Sequence, residues 1–130
     1  MLHDLLNQGM NVVAISHVSG DAGRFDLKHG RGGIGDIEFI VQFLVLDNAA
    51  AFPAVIRYSD NIRQLAALAS VGCLDVRTAA RLQSVYREFR LHLHHLSLND
   101  RPPFVDDDEF DVEREFVAAV WEQHLGVTES

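Results

Sequence analysis

The chain has 130 residues, 48% hydrophobic and 23% charged, a balance that suits one compact domain with a real core. Nineteen acids against eleven lysines and arginines give a formal net charge of −8, which repels phosphate backbones and excludes broad nucleic-acid binding. The single cysteine, Cys73, rules out an internal disulfide or a cysteine-based zinc site and fits a reducing, cytoplasmic setting, while no apolar run reaches the ~20 residues of a membrane span and no secretory signal layout opens the chain.

Met1 to Gly9 reads as a short helical piece whose leucines cover too little length to stand alone. Asn11 to Val18, NVVAISHV, is β-rich. A turn cluster, Ser19 to Gly23, leads to a second alternating run over Arg24 to Lys28. Two alternating runs around a glycine turn predict a β-hairpin, too marginal to stand without other elements. Gly30, Gly32 and Gly33 then make a sharp corner before a long apolar helix, expected over Ile34 to Ala50. Ile37, Ile40, Val41, Leu44 and Val45 mark its buried face, and Asp36 and Glu38 near its start complement the helix dipole.

Ser59 or Asp60 is placed to cap a second helix that Gly72 stops, and Asp75 to cap a third running to about Leu98. Pro102 and Pro103 break the chain. The acids Asp106 to Glu109 are expected to start a fourth helix, which carries Phe110, Phe116, Val117, Val120, Trp121 and Leu125 to Gly126. The architecture expected is all-α: an antiparallel four-helix bundle with a short N-terminal β-hairpin. Its bounds are residues 24–130, with 1–23 as a separate N-terminal segment.

Chemistry-bearing patterns are few. Asp36 and Glu38 form a D-x-E pair, which on a strand would share a face and hold a divalent ion; on a helix the spacing turns them about 200° apart. Glu38 lies in so apolar a stretch that it is expected to reach the turn or pair with an arginine. The glycine corner could offer amides to a phosphate, yet it has neither a P-loop ending nor a full dinucleotide fingerprint. His92 and His95 are three apart, without a third metal ligand at suitable spacing. Asp106 to Glu109 lacks the remaining positions of a calcium loop, and no nucleophile elbow or nucleotidyltransferase carboxylate set is present.

Several segments together resemble the glutamine synthetase adenylyltransferase family: FDLK at Phe25–Lys28, GGIGDIEFIVQFLVL at Gly32–Leu46, YSDNIRQLAALA at Tyr58–Ala69, LHHLSL at Leu93–Leu98 and EREFVAAVWEQHL at Glu113–Leu125. Their order is similar to that of the helical region following a nucleotidyltransferase domain in those enzymes, and FDLK and GDIEF look more like the adenylylating half. A related helical region occurs in the uridylyltransferase that modifies the signal protein PII. The resemblance implies transfer of AMP from ATP, with magnesium, to a tyrosine of glutamine synthetase, its removal by phosphorolysis, and control by PII and glutamine. The family's metal-binding carboxylates lie upstream of the matched region, so no catalytic residue, ATP site or magnesium site carries over, and the chain is expected to be inactive alone. What carries over is a junction. Lys28, Gly32, Gly33, Asp36 and Glu38 stand where the family's helical domain meets the catalytic sheet, beside the nucleotide cleft. The lead-in departs from the family, with a leucine piece and NVVAISHV in place of a charged helix.

Two readings compete with the accessory domain: a stand-alone interaction bundle, and a small histidine-based metal protein. Surface meant for a catalytic partner is expected to lie bare around Phe25, Phe39 and Phe43, with self-association or cover from the N-terminal hairpin as the consequence.

Overall fold

The computed structural model describes residues 23–126. Their order is strand β1 (Arg24–Asp26), helix α1 (Ile34–Asn48), a 3₁₀ turn (Pro53–Ile56), helices α2 (Asn61–Ser70) and α3 (Val76–Leu98), strand β2 (Phe104–Asp106) and helix α4 (Asp111–Leu125). The fold is mostly helical, with four helices and a short two-stranded antiparallel sheet among the described residues.

α1 is the hub. Its buried residues Ile34, Asp36, Ile37, Ile40, Val41, Leu44 and Val45 occupy more than one face, and it packs against α2, α3, α4 and the 3₁₀ turn. That arrangement follows from a helix that is apolar almost all round, which no single neighbour can cover. α2 starts where the Asp60 carboxylate accepts the Arg63 amide at 2.9 Å. α3 starts where Asp75 accepts the Thr78 amide at 3.1 Å. Both caps stand where sequence places them. Gly72 follows α2 with φ +81, a left-handed residue that lets the chain turn back into α3.

The N-terminal strand is present at Arg24–Asp26, and its described partner comes from far along the chain. Arg24 pairs with Asp106, Phe25 with Val105 and Asp26 with Phe104. The Leu27 amide extends the contact to the Pro103 carbonyl at 2.9 Å. The other half of the expected hairpin, Asn11 to Val18, and the leucine piece before it lie outside the described residues.

The start of the last helix is a correction. Asp106 to Glu109 do not open α4, which begins at Asp111. Val105 is buried, and pairing through Phe104–Asp106 takes this segment into the sheet first. The turn that follows is held by Arg114, whose Nη1 donates to the Asp107 carbonyl at 2.6 Å and the Glu109 carbonyl at 3.3 Å. Phe110 then sits at φ +59, with its ring 5.3 Å from those of Phe89 and His92. A bulky residue in the left-handed region is uncommon, and here two ring contacts hold it there.

Phe25, Phe39 and Phe43 are half-buried rather than bare. The Arg114 guanidinium covers Phe25, 3.5 Å from the ring centroid. Phe39 stacks on Trp121 at 5.3 Å. Among the described residues, the large apolar side chains most open to solvent are elsewhere, at Leu46, Val76, Leu98, Val112, Leu91 and Ile56.

Candidate functional site

The corner between β1 and α1 is wired from within. Asp26, nearly fully buried, turns its Oδ1 to the amides of Lys28 and His29, at 2.9 and 3.0 Å. An aspartate that accepts amides two and three residues on is the reason the chain turns here. Its Oδ2 stands 3.3 Å from His29 Nδ1. The Gly30 amide returns to the Asp26 carbonyl at 2.7 Å, Gly33 to Gly30 at 2.9 Å, Ile34 to Leu27 at 2.9 Å and Gly35 to Lys28 at 3.1 Å.

Asp36 closes the corner from the helix side. Its Oδ2 accepts the Gly32 amide at 2.8 Å, a buried bond. Burial pushes its pKa up from 3.8 to about 6, against the opposing pull of the Gly32 amide and the Arg31 charge. Gly32 has φ +82, and a Cβ there would strike the backbone of Arg114 in α4. Gly33 abuts the Leu27 carbonyl in the same way. The two glycines are thus demanded by close backbone approach, one of them also by its left-handed conformation.

This wiring decides what the corner can hold. The amides of Lys28, His29, Gly30, Gly32, Gly33 and Gly35 are all committed internally, so they offer no cradle to a phosphate. Asp36 is spent on Gly32, and Glu38 lies on a different side of the helix, so the pair cannot chelate one ion. ATP and magnesium do not fit these residues. The corner is held together by its own hydrogen bonds.

Of the five residues that sequence singles out, four gather here: Lys28, Gly32, Gly33 and Asp36. The Lys28 side chain is exposed and lines a cleft of 610 Å³ with Leu93, Leu96, Arg101, Pro102 and Pro103. Glu38 is turned away from the corner. It neither reaches the turn nor pairs with an arginine, as sequence alone suggested. Instead its Oε2 accepts the Tyr86 hydroxyl at 3.3 Å, and that hydroxyl accepts Asn61 Nδ2 at 3.0 Å. The described histidines belong to no metal-ligating cluster. His92 Nε2 lies 3.9 Å from Glu109, and no group of three metal-ligating side chains occurs among the described residues.

Sequence reasoning missed Asp26, Arg114, Asn61 and Tyr86. Asp26 had a legible signal, an aspartate directly before a Lys-His-Gly turn. Asn61 and Tyr86 act through partners 25 or more residues distant in the chain, and Arg114 joins the nearby Asp107 and Glu109 carbonyls to the far ring of Phe25, which no local pattern announces.

Comparison with known proteins agrees with the architecture. A family model described as GlnD PII-uridylyltransferase matches residues 17–109. The bifunctional glutamine synthetase adenylyltransferase/adenylyl-removing enzyme of Hahella chejuensis is 45% identical over 105 residues, covering 81% of this chain. The enzyme of the same name from Thioalkalivibrio sulfidiphilus is 46% identical over 105 residues. The chain spans 11% of the length of each of these relatives. No described helix is long and apolar enough to cross a membrane. With a family model fitted to well over half of its length and such relatives beside it, the chain belongs to the glutamine synthetase adenylyltransferase family, as a helical fragment within the GlnD PII-uridylyltransferase domain group.

Proposed function

We propose that this chain is the helical accessory module of a cytoplasmic enzyme that transfers AMP from ATP to a tyrosine of glutamine synthetase and removes it by phosphorolysis. The observation that carries the reading is the 45% identity over 105 residues to an enzyme named for both activities. The corner supports it physically. A turn in which the amides of Lys28, His29, Gly30, Gly32, Gly33 and Gly35 are bonded internally, with Lys28 left outward beside a cleft, is suited to abut another domain and unsuited to hold a nucleotide. In this reading ATP and magnesium belong to the nucleotidyltransferase domain of the parent enzyme. Residues 24–130 are the helical unit, whose corner at Lys28, Gly32, Gly33 and Asp36 shapes the cleft while Glu38 faces the junction from another side of α1, with glutamine synthetase as the protein substrate and PII as a regulator. The exposed Leu46, Phe52 and Ile56 support self-association of the isolated chain.

The test is a chimera in which the matched segment of the Hahella chejuensis enzyme is replaced by this chain. It is expected to adenylylate glutamine synthetase, while the chain alone transfers no AMP. A chimera of native helicity that is inactive, or a chain active unaided, overturns the reading. The description of the matching family model favours a second reading, the corresponding region of a PII uridylyltransferase. Under it, the same replacement made in a uridylyltransferase would retain PII modification while the adenylyltransferase chimera lost its activity.

A further inference from the structure

Glu38 is the only charged residue between Asp36 and Asp47 in α1, a helix otherwise given over to packing. It is exposed, and among the described residues no basic side chain forms an ion pair with it. What it has is a directed hydrogen-bond chain through three helices: Asn61 Nδ2 donates to the Tyr86 hydroxyl, which donates to Glu38 Oε2. Tyr86 is buried, which pushes its pKa up; the Asn61 bond opposes this and the Glu38 charge adds to it. The phenol therefore keeps its proton at neutral pH and can serve only as donor toward the carboxylate.

The chain of bonds has a cost. Asn61 Oδ1 is buried with no hydrogen-bond partner. A lone buried acceptor lowers stability, and folding by itself would not select an amide here. What the amide gains is orientation: Tyr86 is fixed by Asn61, and Glu38 is fixed by Tyr86. One carboxylate oxygen is held while the other is left for a partner.

We infer that Asn61 and Tyr86 are positioning residues that hold the Glu38 carboxylate for a guanidinium or ammonium group contributed by the adjoining domain of the parent enzyme. A carboxylate held in one orientation suits a charge-assisted hydrogen bond, the strongest polar contact a domain junction can use. The cation comes from outside the chain, because its relatives are about nine times longer than the segment they share with it and no described basic residue fills the role. This inference rests on the accessory-module reading, and the measurements below separate the two.

In the active chimera, Glu38→Gln is expected to lower kcat/KM for AMP transfer about tenfold and Tyr86→Phe about fivefold. The double variant falls no further than Glu38→Gln, because the hydroxyl acts only through the carboxylate. Raising salt moves the unsubstituted chimera toward the Glu38→Gln value and leaves that variant unchanged, a response that a purely structural role would not give. NMR of the isolated chain supplies a second measurement: Tyr86→Phe shifts the Glu38 carboxyl carbon resonance while helicity stays native. An active chimera in which Tyr86→Phe is silent, or the two losses add in full, overturns this inference and leaves the accessory-module reading standing. An unmoved Glu38 resonance overturns it too. An inactive, natively helical chimera removes both.

Discussion

At the scale of single residues, Asp36 is the most consequential group. Its carboxylate is nearly fully buried and has a folded pKa of about 6 against 3.8 for a free side chain. A raised folded pKa means that the protonated form is favoured in the native state. The stabilisation is complete below pH 3.8 and is lost as pH rises through 6. Asparagine keeps an acceptor for the Gly32 amide and cannot ionise. Asp36→Asn is therefore expected to be the more stable protein at pH 7, by up to about 3 kcal/mol. Its advantage should shrink to nothing as pH falls from 6 to below 4. Urea denaturation of both proteins across that range checks it, and a variant less stable than the parent at pH 7 would contradict it. The aspartate was legible as a helix-start acid. Its burial was not, since α4 supplies the cover: the Gly32 corner closes against Arg114, about eighty residues on.

Among the elements, two of the three left-handed glycines in the described residues, Gly32 and Gly72, separate strain from packing. Both have φ near +80, but a Cβ at Gly72 meets nothing within 4 Å, whereas one at Gly32 strikes the Arg114 backbone. Gly72→Ala is expected to cost about 1–2 kcal/mol, the price of left-handed backbone alone. Gly32→Ala should exceed about 3 kcal/mol, because the corner must also draw away from α4. Equal losses in urea midpoints would show that the corner gives way freely. Sequence marked both glycines as punctuation, and the stops, caps and extents of α1, α2 and α3 were readable from periodicity and from Asp60 and Asp75. The start of α4 was not. Four successive acids look like a helix N-terminus, yet a three-residue strand with one buried valine outranked them. Short strands carry little signal of their own, because their partner lies elsewhere in the chain.

For the whole molecule, the strands and the helices share one core. Leu27, directly after β1, and Val105, within β2, belong to the same buried cluster as Ile37, Leu68, Phe89 and Trp121. Thermal unfolding is therefore expected to be a single transition, with the fluorescence of Trp121, the chain's one tryptophan, coinciding with loss of helical dichroism. An earlier fluorescence transition would mean that α4 and the sheet separate from α1 to α3. The helical class was readable because α1 to α3 declare themselves by local spacing. The closure of Arg24–Asp26 on Phe104–Asp106 was not, since it joins residues that nothing in the sequence links.

That closure has a consequence for how the protein is made. On the ribosome, Arg24 emerges about eighty residues before Asp106, a delay of roughly 4 to 16 s at 5–20 residues per second. During that interval α1, α2 and α3 are completed one after another, and the first described strand has no Phe104–Asp106 to pair with. The nascent chain therefore carries an open backbone edge beside a strongly apolar helix, the combination that invites mispairing between neighbouring polysomes.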